Sequence, residues 1–146
     1  MSFDIFVSAF ENEGPFHFPV AILHRAFAPY ILSERSREDR EGARHKVWAL
    51  AFADSPGSTD IYLDGGDMVF GFGIGNPPDV IEFWEVVAGL LRDLPCLLYW
   101  PNVKPVGIIG SLDVLPHIPS QYIEKIGIPL VSTDPERIRR YVWENS

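Results

Sequence analysis

One cysteine, Cys96, stands in 146 residues, so no disulfide can close within the chain. Basic residues are few beside acidic ones: 12 against 20, a net charge of −8. A nucleic-acid surface draws its affinity from neutralised phosphates, and an anionic membrane draws in cationic segments. An acidic chain suits neither partner. No apolar run approaches the ~20 residues that a membrane-spanning helix needs. The first basic residue is Arg25, and Asp4 stands among the opening residues. A secretory leader needs a basic start ahead of its apolar run, so cytoplasmic residence is the expectation.

Signatures of chemistry are also missing. His17, His24, His45 and His117 form no His-x-His or His-Glu-x-x-His pattern and no ligand spacing with Cys96. No serine sits in a Gly-x-Ser-x-Gly elbow. The sequence therefore predicts no metal site, no cofactor and no catalytic residue. Cys96 lies in the apolar run Cys96-Leu97-Leu98-Tyr99-Trp100, which reads as a buried, inert thiol.

Apolar residues are abundant, at 47%, and charged residues make up 22%. That is enough to build one core, and residues 1–146 read as a single domain. Phe3, Ile5 and Val7 alternate with Asp4, Phe6 and Ser8, the pattern of a central strand. Pro19 opens a helix with Val20, Leu23, Phe27 and Ile31 on one face, and Pro29 ends or kinks it. Ser33–Lys46 is densely charged but nearly balanced, and reads as an exposed helix extension or a mobile loop. Alternation then predicts strands over His45–Ala53, Asp60–Leu63 and Met68–Ile74, with Asp64-Gly65-Gly66-Asp67 as a hairpin turn. A second helix over Pro78–Leu94 carries Val80, Phe83, Trp84, Val87 and Leu91 inward. Strands over Leu97–Trp100 and Val106–Ile109 follow, joined through Asn102-Val103-Lys104-Pro105. Ser111–Leu115 reads as at most a turn of helix. Short helices follow, capped by Ser120 and by Asp134 with Pro135. The order is β-α-β-β-β-α-β-β. It predicts an α+β fold with a mainly antiparallel sheet, two long helices on one face and short C-terminal helices.

Two further stretches invite a functional reading. Asp60, Asp64 and Asp67 could gather around a cation, but the spacing is not that of a calcium loop and a turn explains it. Gly71-Phe72-Gly73-Ile74-Gly75 precedes a helix, yet it lacks the lysine of a phosphate loop. Alternate glycines on a strand more often let another group approach closely.

The segments Ser2-Phe3-Asp4-Ile5-Phe6-Val7, Glu82-Phe83-Trp84 and Leu98-Tyr99-Trp100-Pro101 resemble a group of short, uncharacterised bacterial α+β proteins. In size, charge and lack of catalytic signatures the chain is also similar to immunity proteins of toxin systems. That second resemblance implies a basic toxin as partner.

Four of the 20 acidic and five of the 12 basic residues fall within Ser33–Lys46, so the excess acid belongs to the remainder. The reading that follows is a non-enzymatic, acidic protein-binding domain of the immunity type. Its partner is a basic protein, met through Asp60, Asp64, Asp67, Glu82 and Glu85. The alternative is a small-molecule-binding protein or an unrecognised enzyme. Its pocket would lie near the 101–119 loops and use Tyr99, Asp113 and His117.

Overall fold

The computed structural model describes residues 3–101 and 105–146. The expected connection through Asn102–Lys104 lies outside them, as does Ser2. The fold is α+β, built on a mainly antiparallel mixed sheet. Its strands are β1 (Asp4–Glu11), β2 (Gly14–Pro15), β4 (Ile31–Glu38), β5 (Arg44–Leu50), β6 (Thr59–Asp64), β8 (Gly71–Gly75), β9 (Cys96–Trp100), β10 (Val106–Ile109) and β11 (Leu130–Val131). They run in the order β11-β10-β9-β1-β8-β6-β5-β4, with β2 paired to the end of β1. The β10–β11 pair is parallel and the other pairs are antiparallel. β1 lies inside the sheet, as its two apolar-leaning faces predict.

The helices are α1 (Val20–Phe27), α2 (Ile81–Asp93), α3 (Ser120–Ile126) and α4 (Pro135–Glu144). α1, α2 and α4 cover one face. There Ile5, Val7 and Ala9 of β1, Ile61 of β6 and Ile74 of β8 pack against Leu23, Phe27, Phe83, Trp84, Ile138 and Val142. A second, smaller cluster lies on the opposite face. It joins Phe10, Leu97 and Ile109 to Val114, Ile118 and Ile126, so α3 and the 3₁₀ segment Leu112–His117 cover that end.

Several sequence expectations change. Ser33–Lys46 is neither helix nor loop. It is most of a two-stranded hairpin, with Arg35 opposite Val47 and Arg37 opposite His45. Both faces of this strand are polar, so no apolar period marks it. Four strands of the main sheet therefore lie between α1 and α2, where three were expected. The predicted Met68–Ile74 strand divides at Phe70. β7 (Met68–Val69) leaves the main sheet to pair with β3 (Phe18–Pro19), while the Phe70 carbonyl accepts from the Ala9 amide at 2.7 Å. The first helix is short, because Pro29 turns the chain into a 3₁₀ turn over Ala28–Tyr30. Helices lie on both faces, since α3 sits opposite the other three. Ser120 is the first residue of α3, and Pro119 holds the cap position with no side-chain bond. Asp134 does cap α4, accepting from the Glu136 amide at 3.1 Å.

Candidate functional site

α3 covers only one end of its face, so the strands from β1 to β4 are left open there. Register fixes what this open face presents, because residues directly opposite share a face. Asp4, Phe6 and Ser8 of β1 lie opposite Gly75, Gly73 and Gly71 of β8. Gly75 and Gly73 in turn face Asp60 and Tyr62 of β6. Tyr62 and Asp64 face Val47 and His45 of β5, and these face Arg35 and Arg37 of β4.

The glycines create a trough along β8. A Cβ on Gly75 would lie 2.7 Å from Cε2 of Tyr62 and 2.9 Å from its hydroxyl. The tyrosine ring therefore lies over bare backbone. A Cβ on Gly71 would meet the Val7 carbonyl directly. Beyond the glycines, Phe6, Tyr99 and Tyr122 form an aromatic row. Phe6 and Tyr99 have ring centroids 5.8 Å apart, and Tyr99 and Tyr122 are edge-to-face at 5.5 Å. The Ser8 and Tyr99 hydroxyls approach to 3.5 Å. A cleft of about 240 Å³ opens over Gly71 and Gly73, between Tyr62 and the Phe6–Tyr99 pair. Tyr62 is 41% exposed, as is Phe70 at the rim.

The electrostatics of this face are mixed. Burial, then the carboxylates of Asp60 and Asp4, raise the Tyr62 hydroxyl above the ordinary phenol range. Tyr122 is raised by burial and by neighbouring Tyr99. His45 approaches Asp64 at 4.0 Å and Asp39 at 3.1 Å.

The structure divides the five acidic residues expected to form a partner surface. Asp60 and Asp64 lie on the open sheet face. Glu82 and Glu85 lie on the solvent side of α2, across the sheet from them. Asp67 is in the turn before β7, where its carbonyl accepts from the Val20 amide at the start of α1, at 2.8 Å. Among the described residues, no three His, Cys, Asp or Glu side chains gather closely enough to hold a metal ion.

Of the three residues in the alternative reading, Tyr99 lines a second cleft of about 370 Å³ with Trp100, Pro105, Gln121, Tyr122 and Lys125. Asp113 and His117 line neither cleft. His117 instead clamps the β1–β2 turn. Its Nδ1 accepts from the Asn12 amide at 3.0 Å, and its carbonyl accepts from the Glu13 amide at 2.9 Å. Asp113 is exposed on the 3₁₀ segment, where its amide donates to the Ser111 hydroxyl at 3.2 Å. Phe6, Tyr62 and Asp4 were not predicted as site residues. The glycine alternation of β8 was their available signal. Cys96 is fully buried, and burial pushes its thiol up to about 12. No helix of the described residues is long and apolar enough to cross a membrane. No family model, curated protein or solved structure matches the chain.

Proposed function

We propose that this chain is a non-enzymatic protein-binding domain of the immunity type, which neutralises a basic toxin by covering it with the open face of its sheet. One observation carries the reading. Tyr62, Phe6 and Tyr99 border a glycine trough on the part of the sheet face that, among the described residues, α3 leaves open, and Asp4, Asp60 and Asp64 stand on the same face. Aromatic rings are the residues around which binding energy concentrates, and their faces attract lysine and arginine. The three carboxylates supply the countercharge on β1 and β6, while Arg35 and Arg37 lie at the β4 edge of the same face. The net charge of −8 would speed encounter with a cationic surface.

The test is calorimetry against the product of the adjacent gene, together with rescue from that product's toxicity. A complex is expected, with Tyr62→Ala or paired Asp60→Lys and Asp64→Lys weakening it about tenfold or more. Glu82→Lys and Glu85→Lys on α2 should leave it intact. Absence of both complex and rescue rejects the reading. Equal loss from the α2 substitutions moves the surface to the helical layer.

A second reading rests on the 370 Å³ cleft, whose walls are mostly apolar and aromatic, with Lys125 as the one cation among the described residues that line it. That chemistry fits a small aromatic acid. Ligand-observed NMR with aromatic carboxylates, repeated on Lys125→Ala, separates this from the protein-docking reading.

A further inference from the structure

β4 is the last strand of the sheet, paired with β5 on one side and with no other strand on its outer edge among the described residues. It runs for eight residues, and all but Ile31 are exposed. Such an edge carries unpaired backbone donors and acceptors and is a template for another strand. Its two faces differ in charge. Glu34 and Glu38 point to one side, and both are engaged. Glu34 accepts from the Trp48 indole at 3.0 Å and lies 3.8 Å from Lys46, while Glu38 lies 3.7 Å from Arg44. Arg35 and Arg37 point to the open face, opposite Val47 and His45. Among the described residues neither arginine has a carboxylate at ion-pair distance.

We propose that the β4 edge docks an extended segment of another protein that carries acidic residues two apart, opposite Arg35 and Arg37, and that the same charge pattern keeps two copies of this chain from pairing there. Strand addition of this kind takes affinity from backbone hydrogen bonds and specificity from alternate side chains. The inference goes beyond the proposed function, since it does not require the partner to be a toxin or basic overall.

Arithmetic on the sequence opposes self-pairing over the charged part of the edge, Glu34 to Glu38. A two-fold axis through an antiparallel pair of identical strands sets some residue opposite its own copy. Centred on Ser36, the pairing sets Arg35 against Arg37 and Glu34 against Glu38, each twice. Centred on Glu34, Arg35, Arg37 or Glu38, it sets that charge against itself. Like charges directly opposite destabilise a pair, and opposite charges stabilise it. Every two-fold register centred between Glu34 and Glu38 is therefore opposed. A foreign strand escapes this, and gains most when it sets acid over the arginines. Read from its N-terminus, with the strands antiparallel, the matching segment is Lys-Glu-Thr-Glu-Lys, laid from Glu38 back to Glu34.

Two experiments test this. The first exchanges two neighbours, R37E with E38R. In the register centred on Ser36 all four charged pairs then become complementary. The wild type is expected to sediment as a monomer and the exchanged variant as a dimer, with its β4 amides newly protected from hydrogen exchange. The second uses the wild-type chain and needs no variant to fold. A peptide with the Lys-Glu-Thr-Glu-Lys core should shift the β4 amide resonances. Its charge-inverted counterpart, Glu-Lys-Thr-Lys-Glu, should bind roughly tenfold more weakly, because the cross-strand charge pairs change sign. A folded exchanged variant that stays monomeric, a wild-type dimer through β4, or equal response to the two peptides overturns the proposal. None of these outcomes depends on the toxin experiment.

Discussion

Glu34 and Trp48 face each other across β4 and β5, and the indole N–H donates to the carboxylate at 3.0 Å. Trp48 is buried, so this carboxylate gives its N–H a partner that water does not readily replace. Lys46 on the same face holds the charge in position. The β4 strand is thus tied to the core by a bond from a buried ring, in addition to the pairing of β5 within the sheet.

Glu34→Ala should cost about 1–3 kcal/mol, the range for stranding a buried donor whose partner was charged. Glu34→Gln keeps an acceptor oxygen and should cost less. Urea unfolding followed by tryptophan fluorescence measures both. Equal losses for the two variants would mean that charge, not the acceptor, secures the hairpin.

The turn between β1 and β2 carries strain. Asn12 and Glu13 both lie in the left-handed region, at φ 51° and 64°, and close the hairpin beyond the Glu11–Gly14 pair. A two-residue turn of this kind wants Asn and then Gly. Asn12 fits, and Glu13 does not. The clamp from His117 holds the glutamate there. Glu13→Gly should stabilise the fold by about 1 kcal/mol, seen as a higher midpoint in thermal unfolding. Glu13→Ala keeps the unfavourable φ and should gain little. If alanine gained as much as glycine, removal of an acidic charge would be the cause.

These two cases mark where the sequence speaks and where it is silent. The apolar periods of β1, α2 and β9 are one-sided or strongly buried, and they were legible. β4 was not, because Glu34, Arg35, Ser36, Arg37 and Glu38 carry no apolar alternation. Only the partner strand β5 makes them a strand. The glycine alternation of β8 announced a close approach, but not that Tyr62 would make it. Charge counting grouped Asp60 and Asp64 with Glu82 and Glu85, since a sum along the chain cannot tell that β6 exposes one layer and α2 the other. The imidazole of His117 suits a pocket by its chemistry alone. Its work on the Asn12–Glu13 turn, about a hundred residues earlier in the chain, leaves no local trace.

Cys96 offers a direct check on burial in the middle of the sheet. Its thiol is pushed up to about 12 by desolvation alone, and its Sγ lies 3.7 Å from the Leu90 carbonyl. The thiolate is the reactive form, so the native protein should resist a disulfide-exchange reagent at neutral pH and react once unfolded in guanidinium. Rapid labelling of the native chain would show that β9 opens readily.

Asp39 ties the far end of the β4–β5 hairpin, and its state should govern that end in acid. One carboxylate oxygen meets the His45 ring at 3.1 Å, and the other accepts from the Glu41 and Ala43 amides at 2.9 Å each. The bond from His45, then the amide of Ala43, hold this carboxyl below its ordinary 3.8. A carboxyl lowered on folding contributes stability above its unfolded value. That contribution is lost as pH falls through the lower folded value. The Glu41 and Ala43 amide resonances should therefore show their Asp39 transition below the ordinary carboxylate range, and not within it. Glu136, lowered by Arg139, titrates in the same acid window at α4, so a global unfolding curve would mix the two. The local amide signals separate them. In Asp39→Asn the acceptor for both amides survives but the titration does not, so the turn should keep its geometry and lose its acid transition. A transition of unchanged midpoint in that variant would assign the turn's acid sensitivity to a different group.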